Sequence, residues 1–248
     1  MRSYHSFAEY YDGLMEDARY ADRCQFILNA AERHHHEMGK TLDLACGTGS
    51  LTLTLAENGV DVFGVDGSVE MLSQAMQKSL AAGHSILFVN QEMQSLNLGD
   101  TVDTCICTLD SLNHLTDTAQ LQKTFDGIAR YLRGNGLFLF DVNTVYKHRS
   151  VLANNVFVLE NERVFCVWQN TLRDDDIVDI ALDFFEEEDG VYYRSSEDFS
   201  ERAYSVEQLT EMLGKAGLAV EAVYGDLRFE SPAEDEQRII VVARKMKS

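Results

Sequence analysis

The sequence predicts an α/β protein: a doubly wound, mostly parallel seven-stranded sheet carrying an inserted antiparallel β meander. Three observations lead there. Between residues 40 and 141, short and nearly unbroken apolar runs alternate with amphipathic helical segments, the pattern of parallel strands covered on both faces. Between 154 and 204 the runs become rich in Val, Phe, Tyr and Ile and are separated by polar turns with no helix between them, as consecutive antiparallel strands require. A chain of 248 residues with 45% hydrophobic content can also bury one sizeable core.

In chain order, His5–Met15 and Tyr20–Arg33 read as helices ahead of the first strand. Strands are expected at Thr41–Ala45, Asp61–Val65, Ile86–Val89, Val102–Cys107 and Leu137–Phe140, with helices at Gly49–Glu57, Ser68–Leu80 and Asp117–Leu132 between them. The meander occupies 155–160, 162–170, 177–187 and 190–204, with turns at Asn161, Asp174–Asp176 and Asp189-Gly190. A last helix, Ser205–Leu213, starts with Ser205 as N-cap and Gln208 at the capping-box position, and closes near Gly214 or Gly217. Strands at Ala219–Tyr224 and Arg238–Val242 then pair antiparallel at one edge, and the single proline, Pro232, lies in the connection between them. The expected division is an α/β core with N-terminal helices in 1–150, an inserted β lid in 151–204, and a helix with strands completing the core sheet in 205–248.

Charge narrows the partners. The net charge is −20, and residues 151–236 carry 22 acids against 6 bases where 1–140 carry 18 against 9. Such a surface repels phosphate backbones and anionic lipid, so no nucleic acid and no membrane is expected, and small molecules are the better partners. The runs Asp174–Asp176 and Glu186–Asp189 read as solvated turns. Five cysteines without a C-x-x-C pair indicate reduced thiols and a cytoplasmic protein. Neither a signal peptide nor an apolar run of spanning length is evident. His34-His35-His36 read as exposed polar residues, and no metal site is expected.

The chemistry points to Leu42–Ser50, LDLACGTGS. A strand ends at Ala45, and Gly47 and Gly49 make a tight turn whose missing side chains let a ligand approach the backbone. Asp66 closes the second strand 17 residues after Gly49, where a carboxylate can accept both hydrogen bonds of a ribose diol. A dinucleotide site would want a third glycine where Thr52 stands, and Asp43 and Asp66 bring negative charge where a pyrophosphate would lie. A cationic or zwitterionic nucleoside suits the site better, and S-adenosylmethionine, with a sulfonium, an ammonium and no phosphate, fits. An NAD(P)-dependent oxidoreductase and a cofactor-binding regulator without turnover are the alternatives.

LDLACGTGS resembles the glycine-rich motif of class I S-adenosylmethionine-dependent methyltransferases, and Val65–Leu72 resembles their acidic loop. Asn90–Met93, Cys107–His114 and Ala129–Asp141 are similar to their later loops, in the family's order and spacing. Phe7–Asp12, with Trp168–Asn170, Tyr192–Arg194 and Glu201–Tyr204, is similar to small bacterial methyltransferases of the YqeM-like type. Gly134 stands where a proline is usual in the family, Asn135 where glycine is usual, and Gly67 where a bulkier residue sits.

The resemblance implies a Rossmann-like fold, S-adenosylmethionine as cofactor and an inserted sheet over an acceptor pocket. Gly47 and Gly49 would lie against the methionine part of the cofactor and Asp66 would hold the ribose. Asp43 would order the glycine loop or reach the ammonium through water. Gln91, Glu92 and Met93 would surround the adenine, with Met71 and Met93 on the ring or, alternatively, filling the core. Tyr10, Ala45, Thr48, Gly67 and Leu109 complete the expected cofactor set. The methyl acceptor, an N or O atom of a small molecule, must lose a proton, which nominates His114 and Asp110 as base. Tyr4, Tyr11, Asn113, Trp168 and Glu197 would frame it, the last favouring an amine; packing is the alternative for His114 and Trp168.

Overall fold

The computed structural model of the chain describes residues 18–160 and 164–247. The expected helix over 5–15, with Tyr4, Tyr10 and Tyr11, and the turn at Asn161 lie outside them.

Seven strands form the main sheet: β1 (Thr41–Leu44), β2 (Val62–Asp66), β3 (Phe88–Asn90), β4 (Val102–Cys107), β5 (Leu132–Asn143), β10 (Leu218–Gly225) and β11 (Arg238–Lys245). Their order is β10-β11-β5-β4-β1-β2-β3, with the first five strands of the chain mutually parallel and β11 antiparallel to both β5 and β10. All of β1 is buried, as the apolar run predicts for a strand covered on both faces.

Helices α1 (Tyr20–Arg33), α2 (Ser50–Glu57), α3 (Val69–Ala81), α4 (Thr118–Tyr131) and α5 (Val206–Ala216) cover the sheet. Alternation along β5 sorts its residues between two cores. Phe138 and Phe140 join Leu121, Phe125 and Ile128 of α4 and Leu209 and Leu213 of α5, while Leu137 and Leu139 join Phe26, Ile27 and Ala30 of α1 and Leu51 and Leu55 of α2. The capping box of α5 is formed: Gln208 N–H donates to Ser205 Oγ at 3.2 Å and Ser205 N–H to Gln208 Oε1 at 2.9 Å, and Gly217, at φ +83°, closes the helix.

The four inserted strands, β6 (Val156–Glu160), β7 (Val164–Leu172), β8 (Ile177–Glu188) and β9 (Val191–Arg202), form a separate antiparallel sheet in sequence order. Its inward face, with Val164, Cys166, Val178, Ile180, Leu182 and Phe184, packs on Leu152 from a single wide turn over Lys147–Leu152. Strand order in the main sheet reverses between β1 and β4, and the crevice beyond their carboxyl ends is where ligands of such sheets bind.

Candidate functional site

The turn after β1 is shaped by the acid at the end of β2. Gly47 N–H donates to Asp66 Oδ2 and Ser68 N–H to Asp66 Oδ1, each at 2.8 Å, so one carboxylate clamps the glycine loop to the start of α3. Each oxygen retains a lone pair for a further donor. Burial raises the Asp66 carboxyl, opposed by those two backbone donors, and the charge of Glu92 adds to the rise. The two glycines differ. At Gly49, φ +74°, an added Cβ would fall 2.7 Å from Ala75 Cβ, so the residue serves helix packing; at Gly47, φ +54°, it would meet nothing within 4 Å. The open side of Gly47 belongs to a cleft.

That cleft encloses about 340 Å³ open to solvent and is lined by the expected Asp43, Ala45, Gly47, Thr48 and Leu109. It is lined also by Tyr20, Cys46, Leu51, Thr108 and Ser111, none of which the sequence singled out. Thr108 and Ser111 flank Leu109 on one loop, a signal that could have been used; nothing local marks Tyr20. Asp43 lies under the turn, 2% exposed, and accepts a 2.5 Å hydrogen bond from Thr52 Oγ1, which ties β1 to α2. Burial pushes its carboxyl up to about 7 despite that hydrogen bond, and the charge of Asp66 adds to the rise.

Beyond β3 the expected adenine contacts divide. Both ends of the Gln91 amide engage Asn97, Nε2 donating to its carbonyl at 3.0 Å and Oε1 accepting from its N–H at 2.8 Å. Gln91 therefore braces its own loop. Met93 packs against the core, the alternative stated for it. Glu92 is exposed beside Gly67, where a Cβ would come 3.1 Å from its Oε1, and Met71 is half-buried on the first turn of α3. The small residue at position 67 is thus matched to Glu92.

On the loop after β4, Leu109 and Asp110 both adopt left-handed backbone conformations, φ 56° and 55°. Their N–H groups donate to Asp141 Oδ2 and Oδ1 at 2.9 and 2.8 Å, and the buried Asp141 also receives Arg23 and Arg238. The Asp110 carboxylate accepts from Asn143 Nδ2 at 2.6 Å and pairs with Arg238 at 3.3 Å. Burial pushes Asp110 up, but Arg238, then Lys147 and His114, outweigh it and hold the carboxyl at about 2. A group this acidic has almost no tendency to take a proton near neutral pH, so Asp110 is a brace and the base assigned to it is withdrawn.

Asn113 is corrected as well. It is 0% exposed, its Nδ2 donates to the carbonyls of Asn143 and Arg202 and its Oδ1 accepts from Asn143 N–H, leaving nothing for a substrate. Trp168 donates Nε1–H to Asn170 at 2.6 Å and packs its ring 5.4 Å from Phe157 within the inserted sheet, the packing role stated as its alternative. His114 remains exposed, its ring 5.1 Å from Phe199 and its Nε2 3.9 Å from Oε1 of Glu201 on β9. Through these contacts the inserted sheet reaches the carboxyl end of the main sheet. Among the described residues no cluster of three or more His, Cys, Asp or Glu could hold a metal, and no helix is long and apolar enough to cross a membrane.

A glycine turn open on one side and a strand-end acid with lone pairs to spare fit S-adenosylmethionine, and fold and site together define a Rossmann-like methyltransferase. A methyltransferase-domain family matches residues 41–136. The methyltransferase-family protein YqeM of Bacillus subtilis is 34% identical over 99% of this chain and 98% of its own length. A crystal structure of an S-adenosylmethionine-dependent methyltransferase from Clostridium acetobutylicum superposes with a TM-score of 0.90 at 32% identity, covering 99% of each chain. An amino pentose methyltransferase from Micromonospora echinaspora, with S-adenosylmethionine bound, shares the fold at a TM-score of 0.78 and 16% identity, over 97% of each chain. The chain belongs to the S-adenosylmethionine-dependent methyltransferases, in their YqeM-like group. It is an enzyme of that class, and the oxidoreductase and regulator alternatives fall.

Proposed function

We propose that this methyltransferase acts on a small molecule, methylating an N or O atom held between the loop after β4 and the inward face of the inserted sheet. S-adenosylmethionine supplies a methyl carbon made electrophilic by its sulfonium. Gly47, Asp66, Met71 and Glu92 would hold it, with Ala45, Thr48 and Leu109 along the cleft. Asp43, bonded to Thr52, supports the turn from below. The observation that carries the reading is the open side of Gly47 in a cleft whose far wall, Thr108 to Ser111, leads directly to His114 under the inserted sheet.

The chain's own contribution is to align the acceptor and exclude water, with β6–β9 acting as a lid. The exposed imidazole of His114, beside Glu201 and Phe199, is placed to pass the proton the acceptor sheds on to solvent. The amino pentose methyltransferase of similar shape acts on a small molecule too, which favours such an acceptor here. Five free cysteines suit a reducing cytoplasm.

A titration with S-adenosylhomocysteine tests the cofactor half. Asp66→Asn should weaken binding about ten-fold, the loss of one charge-assisted hydrogen bond, and unchanged affinity would refute the site. Incubation with isotope-labelled methyl donor and, separately, metabolites, protein and RNA tests the acceptor half. Label confined to macromolecules overturns the small-molecule reading.

A further inference from the structure

One face of β9 carries Glu197, Phe199 and Glu201 at alternate positions, and it is the face turned toward the site. Phe199 packs on His114, Glu201 reaches His114 and Asn143, and Glu197 lies opposite Leu182, which lies opposite Trp168. The two faces of this sheet treat their acids differently. On the outward face Asp183 is answered by Arg194 and Ser196, and Asp179 by Arg173 and Ser200. On the inward face Glu197 Oε1 is buried with no hydrogen-bond partner among the described residues, and burial pushes its carboxyl up to about 7. Glu201, 5% exposed, is answered: its Oε2 accepts from Asn143 and lies 3.7 Å from His148 Nε2, and its Oε1 lies 3.9 Å from His114 Nε2.

A buried carboxylate oxygen without a donor is costly, and on this face that oxygen is Glu197 Oε1. No basic side chain of the described residues pairs with Glu197. The missing charge can come from a ligand. The same face offers Leu182 and Phe199 as apolar walls beside it, which suits a carbon skeleton, and its two carboxylates repel a phosphorylated or carboxylate acceptor.

We infer that the methyl acceptor is an amine that arrives as its ammonium ion, received by Glu197 with its skeleton against Leu182 and Phe199. The inference rests on the small-molecule reading above and deepens it. The ammonium first passes one proton to the Glu197 carboxylate, which becomes a carboxylic acid and frees the nitrogen lone pair. That pair forms the new N–C bond to the methyl carbon, and the breaking C–S bond leaves its electrons on sulfur. The product is an N-methylammonium ion and a neutral thioether.

The experiment uses the full chain, isotope-labelled methyl donor and a metabolite extract split near neutral pH on a cation exchanger. Label is expected in the retained, cationic fraction, and it should resist the mild alkali that frees methanol from methyl esters. Glu197→Gln should lower that labelling about ten-fold, the scale of one charge-assisted hydrogen bond, while S-adenosylhomocysteine binding stays unchanged. Glu197→Asp, which keeps the charge, should retain more labelling than Glu197→Gln. Label only in the unretained fraction overturns the amine and leaves the small-molecule reading standing; label in neither overturns both. Undiminished labelling by Glu197→Gln, or the reverse order of the two variants, overturns the part given to Glu197.

Discussion

Asp43 makes a prediction about stability that needs no substrate. Its carboxyl is 2% exposed and stands at about 7 against an ordinary 3.8. The folded protein therefore keeps this proton over a range where the unfolded chain has released it, so unfolding releases a proton and stability falls as pH rises from about 4 to 7. Linkage for a single group with those two values gives a loss of about 2.5 kcal/mol between pH 5 and pH 8. For a chain of this length that is about 5–10 °C in melting temperature. Asp43→Asn removes the titration while its amide oxygen still accepts the Thr52 hydroxyl. Melting temperatures of the parent and Asp43→Asn, followed by calorimetry without ligand from pH 5 to 8, should diverge by that amount, the variant gaining on the parent as pH rises. Any fixed offset between the two proteins is irrelevant because other groups titrate alike in both. Parallel curves would refute the buried, protonated carboxyl.

Other outcomes separate roles that one motif conflates. Gly49→Ala should cost about 1–3 kcal/mol by overpacking against Ala75, read by urea denaturation. Gly47→Ala should cost only about 1 kcal/mol, for its left-handed backbone, yet weaken S-adenosylhomocysteine binding, because its Cβ enters the open side of the cleft. Arg238→Met takes the guanidinium from Asp110 and leaves Asp141 with Arg23 as its cation, and should destabilise by about 3–5 kcal/mol in the same urea assay. The Asp110 carboxyl, held at about 2, contributes stability above pH 4 that is lost as pH falls through 2, and Arg238→Met should shift acid unfolding upward in pH.

How much of this was legible depends on whether the causes were local. Buried parallel strands announce themselves as apolar runs, so β1, β2 and β4 stood out, and the capping box of α5 is written in Ser205 and Gln208. β5 read as four residues but spans twelve, because its ends carry Arg133–Gly136 and Asp141–Asn143, whose polarity hides a strand that neighbours on both sides hold in place. The site divided the same way. Asp43, Ala45, Gly47 and Thr48 line one cleft because they follow one another along the chain. Asn113 and Asp110 were misjudged because their partners, Asn143 and Arg238, lie 30 and 128 residues away, and only the fold brings them together. A motif states which residues meet at a turn, but not whether their polar atoms are already spent.

Those distant partners explain why the C-terminal strands matter to chemistry at the first crevice. Two consecutive non-glycine residues in left-handed conformations, Leu109 and Asp110, cost roughly 1–2 kcal/mol each. Two backbone donors on the buried Asp141 carboxylate can offset that at roughly 1.5–3 kcal/mol each. Arg23 from α1 and Arg238 from β11 pair with that carboxylate. The loop that aims Leu109 into the cleft and leads to His114 is thus held by a cation from each end of the described chain. Insertion of β6–β9 between β5 and α5 leaves this arrangement intact. It places Glu201 and Phe199 over the loop's far end while β11 returns to brace the near end. Among the described residues the inserted sheet meets that loop through the end of β9, where Phe199, Glu201 and Arg202 contact His114, Asn113 and Thr116.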